Sequence, residues 1–312
     1  MVRQFGEVLL AIALAPLFVG WIAQCRAWLQ SRTAPPLVQP YRMMRKLFQK
    51  DVALAANATP LFRITPYVLF GSMVLAAAII PSIATDLPFA RVADAIALIG
   101  IFATARVFQS LAAMDTGTAF GTMGARREMM VGFLAEPALL MVLFNAFLLS
   151  GSTALPSVVE AYSAGPLSIN PSLTFAGVAF VMVLLAENAR IPIDNPSTHL
   201  ELTMIHEAMV LEYGGRDLAL VELGKGVRFV LLTGLLLAVA LPWGMALELS
   251  VLALLVGIAL LLAKLLAATW AVGQLETRVA KWRLFRLTDL ATLAVTLAFG
   301  SLALTYLVGV GS

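Results

Sequence analysis

Four ionisable side chains, Arg106, Glu136, Glu187 and Lys264, fall within or at the edge of stretches that are otherwise almost wholly apolar. A charge carried into a bilayer costs about 2.5–3.5 kcal/mol on insertion scales, so each needs a partner, water or a task. Both signs are present, which admits two readings. One is a buried polar path for protons or ions. The other is a set of structural ion pairs that fix helix packing, or side chains that snorkel to the interface. Arg106 reads as a fixed counter-charge, because guanidinium does not give up its proton in proteins. Lys264 and the carboxylates are the groups that can exchange protons.

A second concentration of polar chemistry lies in the segment from Glu187 to Glu222. It holds Arg190, Asp194, His199, Glu201, His206, Glu207, Glu212 and Asp217. Thr198-x-x-Glu201 has the form of a capping box, so a helix is expected to start there and to end at Gly214-Gly215. Eleven residues make close to three helical turns, which would place Glu201 and Glu212 on one face. Capping accounts for Glu201 alone; with Asp194, Glu207 and Glu212 the segment reads as an acidic mouth to the membrane path. His199 and His206 lie near Glu201 and Glu207, yet their spacing is not that of a zinc protease, so no metal is expected. No Walker loop, dinucleotide fingerprint or nucleophile elbow occurs.

The elements that carry these residues follow from composition. Of 312 residues, 61% are hydrophobic and 12% charged, against roughly 25% charged in soluble domains. The apolar segments are long and lack strand alternation, so helices are expected rather than a barrel. Spans are predicted at about 5–25, 66–84, 94–114, 129–150, 171–187, 226–247, 249–275 and 287–309. The first reads as a retained span and not a signal peptide, since only Arg3 precedes it and no small-residue cleavage site follows. Cys25 is the one cysteine, so the chain can form no internal disulfide and hold no iron–sulfur cluster.

Seventeen of the 21 Lys and Arg residues fall in the first, third, fifth and seventh connections, with Arg126, Arg127 and Arg228 counted among them. Arg3 and Arg91 fall on the other side. The positive-inside rule then gives both termini on the outer (periplasmic) side, and it explains the basic connections without any nucleic acid. The expected fold is an all-α integral membrane protein of about eight tilted helices. It forms a single membrane domain over 1–312, with cytoplasmic loops at about 26–65, 115–128, 188–225 and 276–286. Within the first loop, Met43, Met44 and Leu47 recur at helical spacing between Arg42, Arg45, Lys46 and Lys50, which predicts an interfacial amphipathic helix over 41–50.

Four stretches carry a resemblance to a known family. They are Tyr41-Arg42 with Arg45-Lys46-Leu47-Phe48; Met114-Asp115-Thr116-Gly117 through Gly124-Ala125-Arg126-Arg127-Glu128; Glu136-Pro137; and Arg190-Ile191-Pro192-Ile193-Asp194 with Glu201 and Glu212-Tyr213-Gly214-Gly215. Together the chain resembles the membrane subunit of respiratory complex I, the NADH-quinone oxidoreductase, that roofs the quinone chamber (the complex I subunit 1 family). It is more similar to that subunit's relatives in group 4 membrane-bound nickel–iron (NiFe) hydrogenases: formate hydrogenlyase subunit 4 and hydrogenase-4 component C. The resemblance runs over nearly the whole chain. Complex I members carry Arg-x-Gly-Pro-Asn-Arg-Val-Gly where this chain has Arg32-Thr33-Ala34-Pro35-Pro36-Leu37. They carry Pro-Glu-Ala-Glu-Gln-Glu where it has Pro196-Ser197-Thr198-His199-Leu200-Glu201. Both departures favour the hydrogenase branch over a quinone site.

The resemblance implies a non-catalytic subunit of an oxidoreductase complex in the cell inner membrane, coupling electron transfer to proton or sodium movement. Quinone-site and passive-anchor roles are the alternatives. The implied coupling residues are Asp115, Glu136, Glu187, Asp194, Glu201 and Glu212 among the acids and Arg106, Arg190 and Lys264 among the bases. The implied partners are hydrogenase-like large and small subunits, iron–sulfur proteins and antiporter-like membrane subunits. The iron–sulfur clusters and the nickel–iron (NiFe) centre would reside in those partners.

Overall fold

A computed structural model of the chain describes residues 2–81, 94–164, 171–191, 194, 204–241, 251–279 and 287–310. Ten α-helices run through them: α1 (Val2–Leu29), α2 (Gln39–Phe48), α3 (Pro60–Ile79), α4 (Ala95–Asp115), α5 (Ala119–Ser150), α6 (Leu155–Ala164), α7 (Pro171–Glu187), α8 (Gly215–Ala240), α9 (Val251–Arg278) and α10 (Leu287–Val310). Seven of these are long and apolar enough to cross a membrane, and α7 is a shorter apolar helix of 17 residues. The chain is a multi-pass membrane protein built from helices, as expected; no strand occurs among the described residues.

Lipid tails are as apolar as leucine, so helices in a bilayer associate through close packing and polar contacts rather than through the hydrophobic effect. Small residues therefore mark the interfaces. Ala15, Ala76, Ala95, Ala112, Ala138, Ala179 and Ala298 are all fully enclosed, while Phe5, Leu9, Phe133 and Leu307 point outward. The most enclosed helix is α8, which packs against α1, α2, α3, α7 and α9; α10 packs against α5 and α7.

The helix bounds differ from the hydropathy reading in an instructive way. The loop expected at 115–128 contracts to a tight turn, and α5 begins at Ala119. Its 32 residues reach about 48 Å, well past a hydrocarbon core of about 30 Å. Arg126 and Arg127 thus sit on a helix that projects from the bilayer. Gly124 lets the turns at 205–209 pack against this end of the helix, because a Cβ there would lie 2.8 Å from the Ile205 carbonyl oxygen. Similarly α8 starts at Gly215 rather than near 226, which takes Arg228 out of the expected connection and into a buried helix. The helix expected from Thr198 to Gly214 is not seen in its described part: residues 205–212 form consecutive bends and turns. Thr198, His199 and Glu201 lie outside the described residues, as does Arg91. An additional short helix, α6, follows the fourth span.

The amphipathic helix of the first connection is present as α2, with Pro40 in its first turn and no buried residue. It is tied to α1 by the Tyr41 hydroxyl, which donates to the Ala13 carbonyl. The turns at 205–213 are held by Tyr213, whose ring stacks on Phe62 at 4.0 Å and whose hydroxyl donates to the Phe62 carbonyl at 3.1 Å. Burial pushes the Tyr213 phenol well above its usual range and keeps it a donor.

Asp115 closes α4 onto the start of α3. Its two oxygens accept from the Thr59 backbone N–H and the Thr59 hydroxyl, both at 2.8 Å, while Thr59 Oγ1 caps α3 by accepting from Leu61 N–H. Thr59→Ala and Asp115→Ala should each lower stability by about 1–2 kcal/mol. The double variant should cost little more than the worse single one, since both remove one unit. Thermal unfolding of the purified complex in detergent measures this; full additivity would refute the shared tie.

Candidate functional site

Arg106 lies on α4 at 5% exposure; two other helices meet it directly, and a third segment reaches it through one of them. The first is α5, where Glu128, Gly132 and Glu136 recur every four residues and so share one stripe of the helix. Gly132 lies between the two acids and has no side chain. A Cβ there would collide with the Arg106 guanidinium, with Cδ at 2.8 Å. The guanidinium therefore lies across bare helix backbone, with Glu128 Oε1 3.3 Å from Nε and Glu136 Oε1 2.8 Å from Nη1.

The second contact is Glu187, the last residue of α7, which accepts from Arg106 Nη2 and pairs through its other oxygen with Arg228 Nη2 on α8. The third runs through Glu128, whose Oε2 is 3.2 Å from His206 Nε2. His206 Nδ1 is in turn 3.9 Å from Asp194 Oδ2, which accepts from the Ile205 and His206 backbone N–H groups at 3.1 Å. A continuous series of charged and titratable groups thus runs Arg228–Glu187–Arg106–Glu128–His206–Asp194, with Glu136 as a branch from Arg106. All are buried except Glu136, whose side chain is 31% exposed.

Two guanidiniums face three glutamates in this set. Adding one proton brings those five groups to neutrality, the state that burial favours. Some contacts are charge pairs by distance but not aligned hydrogen bonds: Arg106 Nε with Glu128 Oε1, Glu128 Oε2 with His206 Nε2, and His206 Nδ1 with Asp194 Oδ2.

Beside this series lies a cavity of about 280 Å³ between α1, α2, α8 and the 187–194 connection. Its apolar wall includes Ile22 and Met44, and Glu187, Asp194, His206 and Arg228 line its charged side. A second ion network borders it. Arg190 Nη1 is 3.2 Å from Glu276 Oε1 on α9, Arg26 Nε on α1 is 3.5 Å from Glu276 Oε2, and the Arg190 guanidinium stacks over Phe229 at 4.8 Å.

Of the residues expected from sequence, Arg106, Glu136, Glu187 and Asp194 come together here, and Arg190 lies at the adjoining network. Asp115 is engaged by Thr59 instead. Glu212 is half-buried on the turns, with no ion pair among the described residues. Lys264 Nζ donates to the Leu241 carbonyl at 2.6 Å, at the C-terminal end of α8. That is thirteen residues from Arg228, roughly 20 Å along the helix axis. Sequence patterns alone did not mark Glu128, Arg228 and Glu276 as site residues, and they raised His206 only as a metal ligand. The signal for Glu128 was its four-residue spacing from Gly132 and Glu136.

Gly132→Ala should displace Arg106 and destabilise the protein by about 1–3 kcal/mol. Gly100→Ala, where a Cβ meets open space, should be near neutral. Melting temperatures of the two variants test the assignment; equal effects would refute it.

The NADH dehydrogenase family model matches residues 5–306. Hydrogenase-4 component C of Escherichia coli (strain K12) is 33% identical over 301 residues, covering 96% of this chain and 93% of that protein. Formate hydrogenlyase subunit 4 of the same strain is 30% identical over 278 residues, covering 89% and 90%. A subunit of the NADH-quinone oxidoreductase of Rickettsia bellii (strain OSU 85-389) is 26% identical over 215 residues, covering 66% and 62%. Among solved structures, a chain of the membrane-bound sulfane sulfur reductase, an archaeal respiratory membrane complex, shares the fold. Its TM-score is 0.80 at 19% identity, covering 96% of this chain and 98% of that one.

Proposed function

The chain belongs to the NADH dehydrogenase family, and we propose that it is the membrane anchor and coupling subunit of an energy-converting redox complex of the hydrogenase or formate hydrogenlyase type. In this role it links electron transfer in a cytoplasmic iron–sulfur arm to proton or sodium translocation. The observation that carries the reading is the buried series centred on Arg106, which joins α4, α5, α7 and α8 to a polar cavity. The higher identity and fuller coverage of the two hydrogenase-type relatives support that branch over complex I.

The chain's one cysteine, Cys25, is buried in α1. It cannot ligate an iron–sulfur cluster, so such clusters and the nickel–iron centre belong to partners. Those are hydrogenase-like large and small subunits, iron–sulfur proteins and antiporter-like membrane subunits. The half-exposed Glu136 is the group that would face a neighbouring membrane subunit. The distribution of Lys and Arg supports both termini on the outer side of the inner membrane.

Glu136→Gln keeps the size of the side chain and its partial exposure but removes its charge and its proton. In the purified complex, reconstituted in vesicles with a pH-sensitive dye inside, ion uptake per redox turnover should fall about tenfold or more, with the subunits still co-purifying. Uptake at the wild-type level in Glu136→Gln, and also in Glu201→Gln, would remove the coupling role. A quinone-site role is the second reading, favoured by the cavity with its apolar wall and charged side. Quinone-analogue binding to the complex, displaced by quinone-site blockers, would select it.

A further inference from the structure

We infer that His206 is a proton-relay residue, carrying protons from the cavity into the Arg106 series. The inference rests on the coupling role proposed above and assigns its point of entry.

The geometry is that of a ring held between two acids. Nε2 is 3.2 Å from Glu128 Oε2 on α5, and Nδ1 is 3.9 Å from Asp194 Oδ2. The side chain is 7% exposed, and the residue lines the cavity together with Asp194 and Glu207. Among the described residues neither nitrogen makes an aligned hydrogen bond, although a structural histidine normally anchors at least one through a carbonyl or hydroxyl. Asp194 holds the backbone rather than the ring. Its Oδ2 accepts the Ile205 and His206 N–H groups, which fixes the turn that presents the imidazole. Around the cavity, Arg26, Glu187, Arg190, Glu222, Lys225 and Arg228 contribute the other charges that line this space, while Arg106 reaches the ring only through Glu128.

The transfer balances within the ring. A proton from the cavity reaches Nδ1 by way of the Asp194 carboxylate beside it, and that carboxylate then stabilises the resulting imidazolium. The Nε2 proton then passes to Glu128 Oε2, leaving a neutral ring in the other tautomer. A flip of the ring restores the starting state, and one proton has moved from the cavity to Glu128. The guanidiniums keep their protons, so transfer along the series falls to the imidazole and the carboxylates, and His206 is the member that stands between Asp194 and Glu128.

The test uses the complete complex in proton-tight vesicles. His206→Gln and His206→Ala should each reduce proton uptake per turnover about tenfold or more, the scale of a lost acid–base group. His206→Ala leaves a void beside the cavity, into which a free azole can diffuse. Millimolar imidazole should restore uptake, whereas pyrazole, of the same shape but too weakly basic to carry a proton at neutral pH, should not. Rescue by both azoles means the ring only fills space and overturns the inference, as does rescue by neither. Should His206→Ala fail to assemble, His206→Gln decides alone: lost uptake supports the relay and retained uptake overturns it. Loss in Glu136→Gln with retention in His206→Gln removes the relay and leaves the coupling role standing. Retention in His206→Gln together with Glu136→Gln and Glu201→Gln removes the coupling role as well.

Discussion

A guanidinium that keeps its charge inside an apolar bundle must be met by carboxylates on the faces it presents, and Arg106 imposes that condition on four helices at once. Removing one partner from a buried pair costs about 3–5 kcal/mol, because the charge left behind is uncompensated. That is a large share of the 5–15 kcal/mol by which a typical domain is stable. The stripe of α5 must therefore face α4 in the register that places Gly132 under the guanidinium. The last residue of α7 must reach the same point, and Arg228 must lie on the far side of Glu187. Close packing through alanine sets how near the helices come; the Arg106 pairs set their register.

The spans, the amphipathic surface helix and the charges within the spans were legible in the sequence, because each is a local pattern of apolarity. What hydropathy hid was the continuation of helices through charged residues. A window that ends a span at its first charge cuts α5 at Glu128 and α8 at Lys225, and the first turns of both helices then read as loop. In the structure those helices continue, since each charge has a partner of the opposite sign. Lys264 stands apart for the converse reason. Its position in the sequence is mid-span, yet its amine reaches the carbonyl at the end of α8, where a cation suits the helix dipole. The ion pairs themselves join residues 30 and 81 positions apart, and no spacing rule connects such distances.

The connection after α7 concentrates the consequences. Within eight residues, Glu187 holds the Arg106 and Arg228 guanidiniums, Arg190 holds Glu276 of α9 and covers Phe229, and Asp194 fixes the turn that carries His206. A displacement of this segment changes three sets of electrostatic contacts together. That is the physical content of a coupling element: one short stretch whose position biases charges on α4, α5, α8 and α9.

Ion pairs that serve only as glue should be neutral as a set and well aligned, since burying surplus charge costs energy and an apolar replacement is often no worse. This set departs from both. It holds three glutamates for two guanidiniums, so it reaches neutrality only by taking up a proton, and the contacts of Glu128 with Arg106 Nε and His206 are charge pairs without aligned hydrogen bonds. It also opens onto a cavity at one end and is partly exposed at Glu136 on the other. Surplus acid, uncommitted polar atoms and two open ends cost stability if the helices need only be held together. They are the requirements of a site that must accept a charge at one side, hold it briefly and release it at the other.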